Sequence, residues 1–317
     1  MSHLATIPGD PAPPARRTIV AHDVDEQAQN LTHWEQRYDQ ITAGRFCGVL
    51  DEWCASDVQI FRERNSCALH QSCNVRPDAL WFGIEAHTRE MRINGRQVGP
   101  DRIMTRPGHH PFELMTPDEH EILGIVIGRS TLLEAAEQQG CQINLSGLAG
   151  AELLQVDHQA LAACRQQIQL LLAAEAPGAA ATQADQVIAA LLGLLDTSSA
   201  DTQACASLAR RRRIVHDAHE YVLRHQDEPV TVPMLCEQLH VSRRTLQYCF
   251  EDVLGISPMA CLRYLRLNGV RRQLLSGAGG ELRVGDVAAA WGFRNFSQFS
   301  CDYKKLFGES PSSALKP

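Results

Sequence analysis

The chain has 317 residues, 44% of them hydrophobic, and a formal net charge of −7, which is enough apolar material for about two domains with cores of their own. Its longest apolar run, Val187 to Leu195, falls far short of the ~20 residues a bilayer span needs, which argues against a membrane protein. The charge is uneven: residues 1–209 carry a net −12, whereas residues 210–317 carry +5 and all three lysines, Lys304, Lys305 and Lys316. An acidic front joined to a basic rear fits a sensor attached to a nucleic-acid-binding module.

In chain order, residues 1–20 hold Pro8, Pro11, Pro13, Pro14 and the Arg16-Arg17 pair, and read as a disordered leader. A short helix is expected over 24–41, with Leu31, Trp34, Tyr38 and Ile41 on one face. Short β-type runs follow at Phe46–Trp53, Val58–Arg64, Ala79–Ile84, Arg102–Thr105 and Glu121–Ile127, with a hairpin signal at Asn94-Gly95. Strands at this spacing suggest a sandwich or small barrel. Helices are expected at Thr131–Gln139, His158–Glu175 and Thr182–Leu195. Pro177-Gly178 makes the last two an antiparallel pair. Their apolar faces could serve a homodimer or pack on the front domain's own core. Asp196–Ala206, rich in Ser, Thr and Asp, reads as a linker. The expected fold is α+β: a β-rich sensor and dimerisation domain over 21–195, a linker over 196–209, and an all-α domain over 210–317.

The rear domain contains an internal repeat. Each copy has a short helix with a small residue, a tight turn, a longer helix with apolar residues every third or fourth position, and a Gly-x-Ser-Pro stop at 255–258 and 308–311. This is the layout of a helix-turn-helix, whose second helix enters a DNA major groove. After a helix near 213–225, Pro233 is tolerated in the first turn of the next. The turn His240-Val241 leads to Ser242, a good N-cap, and the capped turn through Thr245 offers N–H groups to a phosphate. In that helix Leu246, Phe250, Val253 and Leu254 belong to the core, while Arg243, Arg244, Gln247 and Tyr248 face outward. Arg and Gln can pair bidentately with guanine and adenine edges, although such a face is often merely solvated. A long helix at 258–275 is expected to act as a rigid spacer, with at most half of Arg263, Arg266, Arg271 and Arg272 on phosphates, before a flexible break at 277–280. In the second copy Val284, Val287, Ala288 and Trp291 are core, and Gly292 needs a positive φ. Its outward face is Arg294, Asn295, Ser297, Gln298, Cys301 and Lys304. Two such helices on one spacer could address major-groove segments about 34 Å apart.

The stretches "VSRRTLQYCFEDVLGISP", "YLRLNGVRRQLL" and "VAAAWGFRNFSQFSCDYKKLFGESP" resemble the AraC/XylS family of transcriptional regulators over residues 210–317. The resemblance implies two helix-turn-helix units joined by a long helix, a double-stranded DNA operator, RNA polymerase as a partner, and a cytoplasmic activator. By position it implies base contacts from Arg244, Gln247 and Tyr248 in the first helix, and from Phe296, Ser297 and Cys301 in the second. Arginine is common in the family where this chain has Tyr248 and Cys301, so the second helix could hold mainly backbone through Ser297 and Lys304. In the front half, "LTHWEQRYDQITAGRFCGVL", "VQIFRER" and "ALWFGI" are similar to the sensor half of the activators of ethanolamine-utilisation operons. That likeness implies ethanolamine and adenosylcobalamin as small-molecule effectors.

Two other readings of the front half stay open. A metal-dependent small-barrel enzyme would draw on His109, His110 and Glu113, but adjacent histidines on a strand point to opposite faces. A thiol redox sensor would draw on Cys67 and Cys73, although neither has an obvious neighbour that depresses a thiol pKa. The chain's 11 cysteines form no Cys-x-x-Cys pair and no zinc spacing, and with no secretory signal they suggest reduced cytosolic thiols. Asp118 to Gly124 nearly forms a cobalamin motif, with the glycine one residue late. No Ser-His-Asp arrangement or phosphate-binding glycine loop is apparent, so no enzyme activity is expected.

Overall fold

The computed structural model describes residues 15–86, 90–174, 177–201, 206–277 and 282–315. The front half opens with strand β1 (Ala15–Ala21), helix α1 (Val24–Asn30) and strands β2 (Trp34–Gln40), β3 (Gly48–Ala55), β4 (Val58–Asn65), β5 (Leu69–Val75) and β6 (Ala79–Glu85). The short strands β7 (Arg92–Ile93) and β8 (Arg96–Gln97) close a hairpin in which Asn94 and Gly95 both have positive φ, 49° and 76°, as a two-residue turn of the expected kind requires. Strands β9 (Arg102–Pro107), β10 (Phe112–Thr116) and β11 (His120–Gly128) complete the run. Helices α2 (Arg129–Gln139) and α3 (Leu145–Gly150), strand β12 (Leu153–Gln155), helices α4 (His158–Ala173) and α5 (Pro177–Asp196), and strand β13 (Ser199–Ala200) follow.

The strands form two antiparallel sheets, in the orders β1-β3-β4-β11-β6-β9-β12-β13 and β2-β5-β10-β7-β8. Side chains alternate across a strand, so the larger sheet feeds two cores. One face sends Ile60, Phe82, Ile84, Leu123 and Ile125 against α2, α4 and α5. The other sends Leu50, Phe61, Trp81 and Met104 against Tyr38, Leu69, Phe112 and Leu114 of the smaller sheet, where Trp81 stacks on Phe112 at 4.7 Å. The apolar faces of α4 and α5, with Leu161, Ile168, Leu171, Leu191 and Leu192, are buried in the first core. Of the two uses open to these faces, packing on the front domain's own core is the one the structure displays.

Three other expectations change. The helix foreseen over 24–41 stops at Asn30, and Trp34–Gln40 is strand β2, laddered to β5 from Trp34↔Val75 to Gln40↔Leu69. Trp34 and Tyr38 are four apart, a spacing shared by one face of a helix and one face of a strand, so periodicity alone could not separate them. Of the leader foreseen as disordered, residues 15–20 belong to edge strand β1, where Arg17 pairs with the buried Glu52 at 2.5 Å; residues 1–14 lie outside the described residues. The linker foreseen over 196–209 contains β13, paired to β12, followed by Asp201, which binds Arg96 at 2.9 Å. Residues 202–205 lie outside the described residues, and helix α6 (Ala206–Arg224) begins within the same segment.

The rear half continues with α7 (Val232–Gln238), α8 (Arg243–Leu254), α9 (Pro258–Ser276), α10 (Val284–Ala290) and α11 (Phe296–Phe307). The α6–α8 group and the front part of α9 share one core, and α10, α11 and the rear part of α9 share another. Gly269 of α9 lets the Trp291 ring lie against the helix, where any Cβ would meet it at 2.2 Å. Residues 278–280 of the expected break lie outside the described residues.

Helix α9 is more than a spacer. Buried Asn268 accepts from the Gln40 N–H (3.0 Å) and donates to the Gln40 carbonyl (2.9 Å), joining it to β2 as another strand residue would. Arg271 pairs with Asp23 and Glu309, each at 2.6 Å, and Arg272 with Asp25 (2.7 Å) and Asp39 (2.5 Å). Arg266 donates to the Val230 carbonyl at 2.8 Å. Of the four arginines weighed for phosphates, only Arg263 is exposed. The other three are committed inside the protein, because a guanidinium half-buried beside carboxylates or carbonyls is held there by charge-assisted hydrogen bonds.

Candidate nucleic-acid interface

The two C-terminal helix pairs are built alike. In the first, α7 is capped by Thr231 and carries Pro233 in its first turn; the chain turns at His240 with φ 53°. Ser242 then caps α8, accepting from the Thr245 N–H at 3.1 Å, and Gly255 ends the helix in the left-handed region. In the second, the turn after α10 falls at Gly292 with φ 76°, and a Cβ there would press on the Glu228 carbonyl oxygen at 2.9 Å. Asn295 caps α11, accepting from Gln298 N–H at 3.1 Å, and Gly308 ends it. Both α8 and α11 have 12 residues, and each buries one stripe: Leu246, Cys249, Phe250 and Val253 in α8, Phe299, Tyr303, Leu306 and Phe307 in α11.

The opposite faces are open. Ser242, Arg243, Arg244, Thr245 and Tyr248 are exposed and Gln247 is half-buried; Arg294, Asn295, Phe296, Ser297, Gln298, Cys301 and Lys304 are exposed as well. Arg294 and Asn295 precede α11 rather than standing on it. Each glutamine is tied to a carboxylate one turn nearer the C-terminus: Gln247 donates to Glu251, and Gln298 donates to Asp302 at 2.9 Å. The Arg211 guanidinium lies 5.5 Å from the centre of the Tyr248 ring. The cations differ in position: α8 has Arg243 and Arg244 in its first turn, α11 has Lys304 and Lys305 in its last.

A cleft of about 810 Å³ lies between the smaller sheet and α6, lined among others by Glu35, Arg37, Glu113, Arg212, His219 and Glu220. Its deep side is strongly polarised. Burial would raise the Glu113 carboxyl, but His70, with Nε2 3.7 Å away, more than reverses this and holds it at about 2. Burial lowers His219 to about 4, while on His70 the combined pull of Glu113 and Asp39 overcomes burial and raises the imidazole. Asp39 stays below the usual carboxylate range despite burial, because Arg272 and Arg37 flank it.

The residues on which the competing readings of the front half would draw do not form a site. His109 and His110 are exposed, and Glu113 turns to His70 rather than to them. Cys67 and Cys73 are buried, which pushes both thiols above their ordinary range and away from the reactive thiolate. Within the near-match to a cobalamin motif, Asp118 accepts from the Ala68 N–H at 2.8 Å and His120 is buried in β11.

These paired helices, each with a buried stripe and an open polar face, define a helix-turn-helix type of domain, and residues 235–316 match the helix-turn-helix domain family. The chain is 36% identical over 103 residues to a probable thc operon regulatory protein of Rhodococcus erythropolis, covering 32% of this chain and 31% of that protein. It is 31% identical over 103 residues to XylDLEGF operon transcriptional activator 2 of Pseudomonas putida, covering 32% of this chain and 63% of that one. A solved probable AraC family transcriptional regulator from Rhodopseudomonas palustris is 31% identical, covers 33% of this chain and 99% of its own, and superposes with a TM-score of 0.30. The carboxyl-terminal domain is thus a helix-turn-helix domain of the AraC type. It spans less than two thirds of the length of these curated relatives.

Proposed function

We propose that this protein is an effector-responsive transcription factor that binds a double-stranded DNA operator through α8 and α11. The observation that carries the reading is the pair of capped 12-residue helices whose outward faces are free of the protein's own core. Ser242 and Thr245 sit at the amino-terminal end of α8, where backbone N–H groups and the helix dipole suit a phosphate. Arg243, Arg244, Gln247 and Tyr248 are the base-reading candidates on α8. On the second unit Arg294, Asn295, Ser297, Gln298 and Lys304 take the same part, with Lys304 suited to the backbone. Residues 21–195 act as the sensor and 210–317 as the DNA-binding domain, in a cytoplasmic activator that works with RNA polymerase. Footprinting on the DNA upstream of the protein's own coding sequence should show a protected segment. No sequence-preferring protection at moderate salt would refute the reading.

For the effector, the cleft against α6 suits a small polar ligand. Its volume falls in the range of ligand pockets, and its walls carry Glu35, Glu113 and Glu220 alongside Arg37, Arg212 and Arg213, which suits a small ligand with both an amine and a hydroxyl. Ethanolamine has that chemistry, and with the front-half resemblance it makes regulation of an ethanolamine-utilisation operon the proposed role. Adenosylcobalamin is far larger than the drug-sized ligands that a cavity of this volume encloses, so this cleft does not enclose it. Thermal shift is the test. A ligand at 100 times its Kd stabilises the native state by about 2.7 kcal/mol, so millimolar ethanolamine should raise the midpoint clearly, and no shift with ethanolamine would reject it.

A further inference from the structure

At the inner end of the cleft three side chains from distant parts of the chain converge. Asp39 comes from β2, His70 from β5 and His219 from α6, and one ligand-type atom of each lies within 4.8 Å of those of the other two. It is the metal-competent grouping found among the described residues. His70 is 7% exposed and Asp39 5%. The Nε2 atom of His219 is buried without a hydrogen-bond partner, and that of His70 has only the longer ion pair to Glu113 at 3.7 Å, which is costly for polar atoms in the interior. The rings stand edge to face, with centroids 5.8 Å apart.

We infer that Asp39, His70 and His219 form a site for one divalent transition-metal ion, zinc by preference, that clasps the sensor sheet to the first helix of the DNA-binding domain. Two imidazoles and a carboxylate are a donor set that zinc accepts, and a site with three protein ligands keeps one position open. Ligand atoms around a tetrahedral zinc with bonds of about 2.0–2.1 Å stand roughly 3.4 Å apart, so the three groups need to close by about an ångström. The surroundings supply outer contacts of the kind that orient ligands. Arg272 holds one oxygen of Asp39 at 2.5 Å, which leaves Oδ2 with Arg37 at 4.0 Å. Glu113 lies 3.7 Å from His70 Nε2 and adds negative charge beside the ion. Asp39 and His219 also line the cleft, so the open position faces it and can take water or the amine or hydroxyl of a small ligand.

The site is independent of the effector reading and is tested without DNA or effector. Full-length protein stripped with chelator and titrated with Zn²⁺ alone should take up one equivalent and rise in thermal midpoint. H219A on α6, and separately H70N, should each weaken uptake at least ten-fold, with unchanged far-ultraviolet circular dichroism showing that they fold. Because the chain is rich in cysteine, Co²⁺ is the second probe. Cobalt on this site gives the visible bands of a tetrahedral nitrogen and oxygen environment without a thiolate charge-transfer band. Uptake well below one equivalent, equal affinity in H219A and H70N, or a thiolate band that survives both substitutions would overturn the proposal and leave the trio an ion-pair network.

Discussion

Helices α8 and α11 have the same length and the same kind of buried stripe, yet they carry their cations at opposite ends. Lys304 and Lys305 occupy the last turn of α11, where the negative end of the helix dipole favours them. Arg243 and Arg244 occupy the first turn of α8, which has no acidic residue to offset them, and there the dipole opposes positive charge. The lysines of α11 need no ligand to account for them. The arginines of α8 work against their own helix, and an arriving phosphate or guanine edge would relieve that opposition. The first unit is thus the better candidate for sequence reading, and the second for holding the backbone.

Substitutions at the shared core should leave the contrast intact. Phe250 and Phe299 are both almost fully buried, so Phe250→Ala and Phe299→Ala should each cost about 3–5 kcal/mol in denaturant unfolding. A markedly smaller cost on one side would show that the two units are not equivalently packed. The contrast itself is tested on DNA. Arg244→Ala with Gln247→Ala removes the two proposed bidentate readers, worth about 1–3 kcal/mol each, so specific binding measured by fluorescence anisotropy should fall about 30-fold or more. Ser297→Ala with Lys304→Ala should weaken specific and nonspecific DNA alike, and lower the salt slope by about one phosphate contact. If the second pair removes specificity instead, the roles are reversed.

Smaller effects sharpen the comparison further. Ser242→Ala and Asn295→Ala each delete a cap hydrogen bond and should cost about 1 kcal/mol. The finest test is one of sign. At low salt Arg243→Ala should stabilise the free protein and Lys304→Ala should destabilise it, each by up to about 1 kcal/mol. Thermal melts of the two variants moving in the same direction would remove the dipole argument.

The repeat made the rear domain readable in advance. Caps, turn residues and apolar spacing are local signals, and Ser242, Gly292 and the stripe from Leu246 to Val253 sit where those signals put them. The front half was harder because its decisive contacts are distant. Strand β2 depends on β5 some 30 residues away, and β5 and β10 carry polar residues such as His70, Gln71, Ser72 and Glu113 that weaken any apolar alternation. The grouping of Asp39, His70 and His219 spans 180 residues of sequence, and no spacing rule reaches that far. His109 and His110, by contrast, are neighbours in sequence but lie outside that grouping.

The glutamine–carboxylate pairs on the two helices also constrain how the domain can sit on a duplex. Glu251 and Asp302 place an anion one turn behind Gln247 and Gln298, and the edges of a groove are lined with negative phosphates. Pushing either helix in lengthwise would bring like charges together, whereas a tilted entry, leading turn first, keeps both acids clear of the sugar-phosphate rails. On the proposed reading, the footprint of each unit is then short, confined to the few base pairs beneath its first two turns.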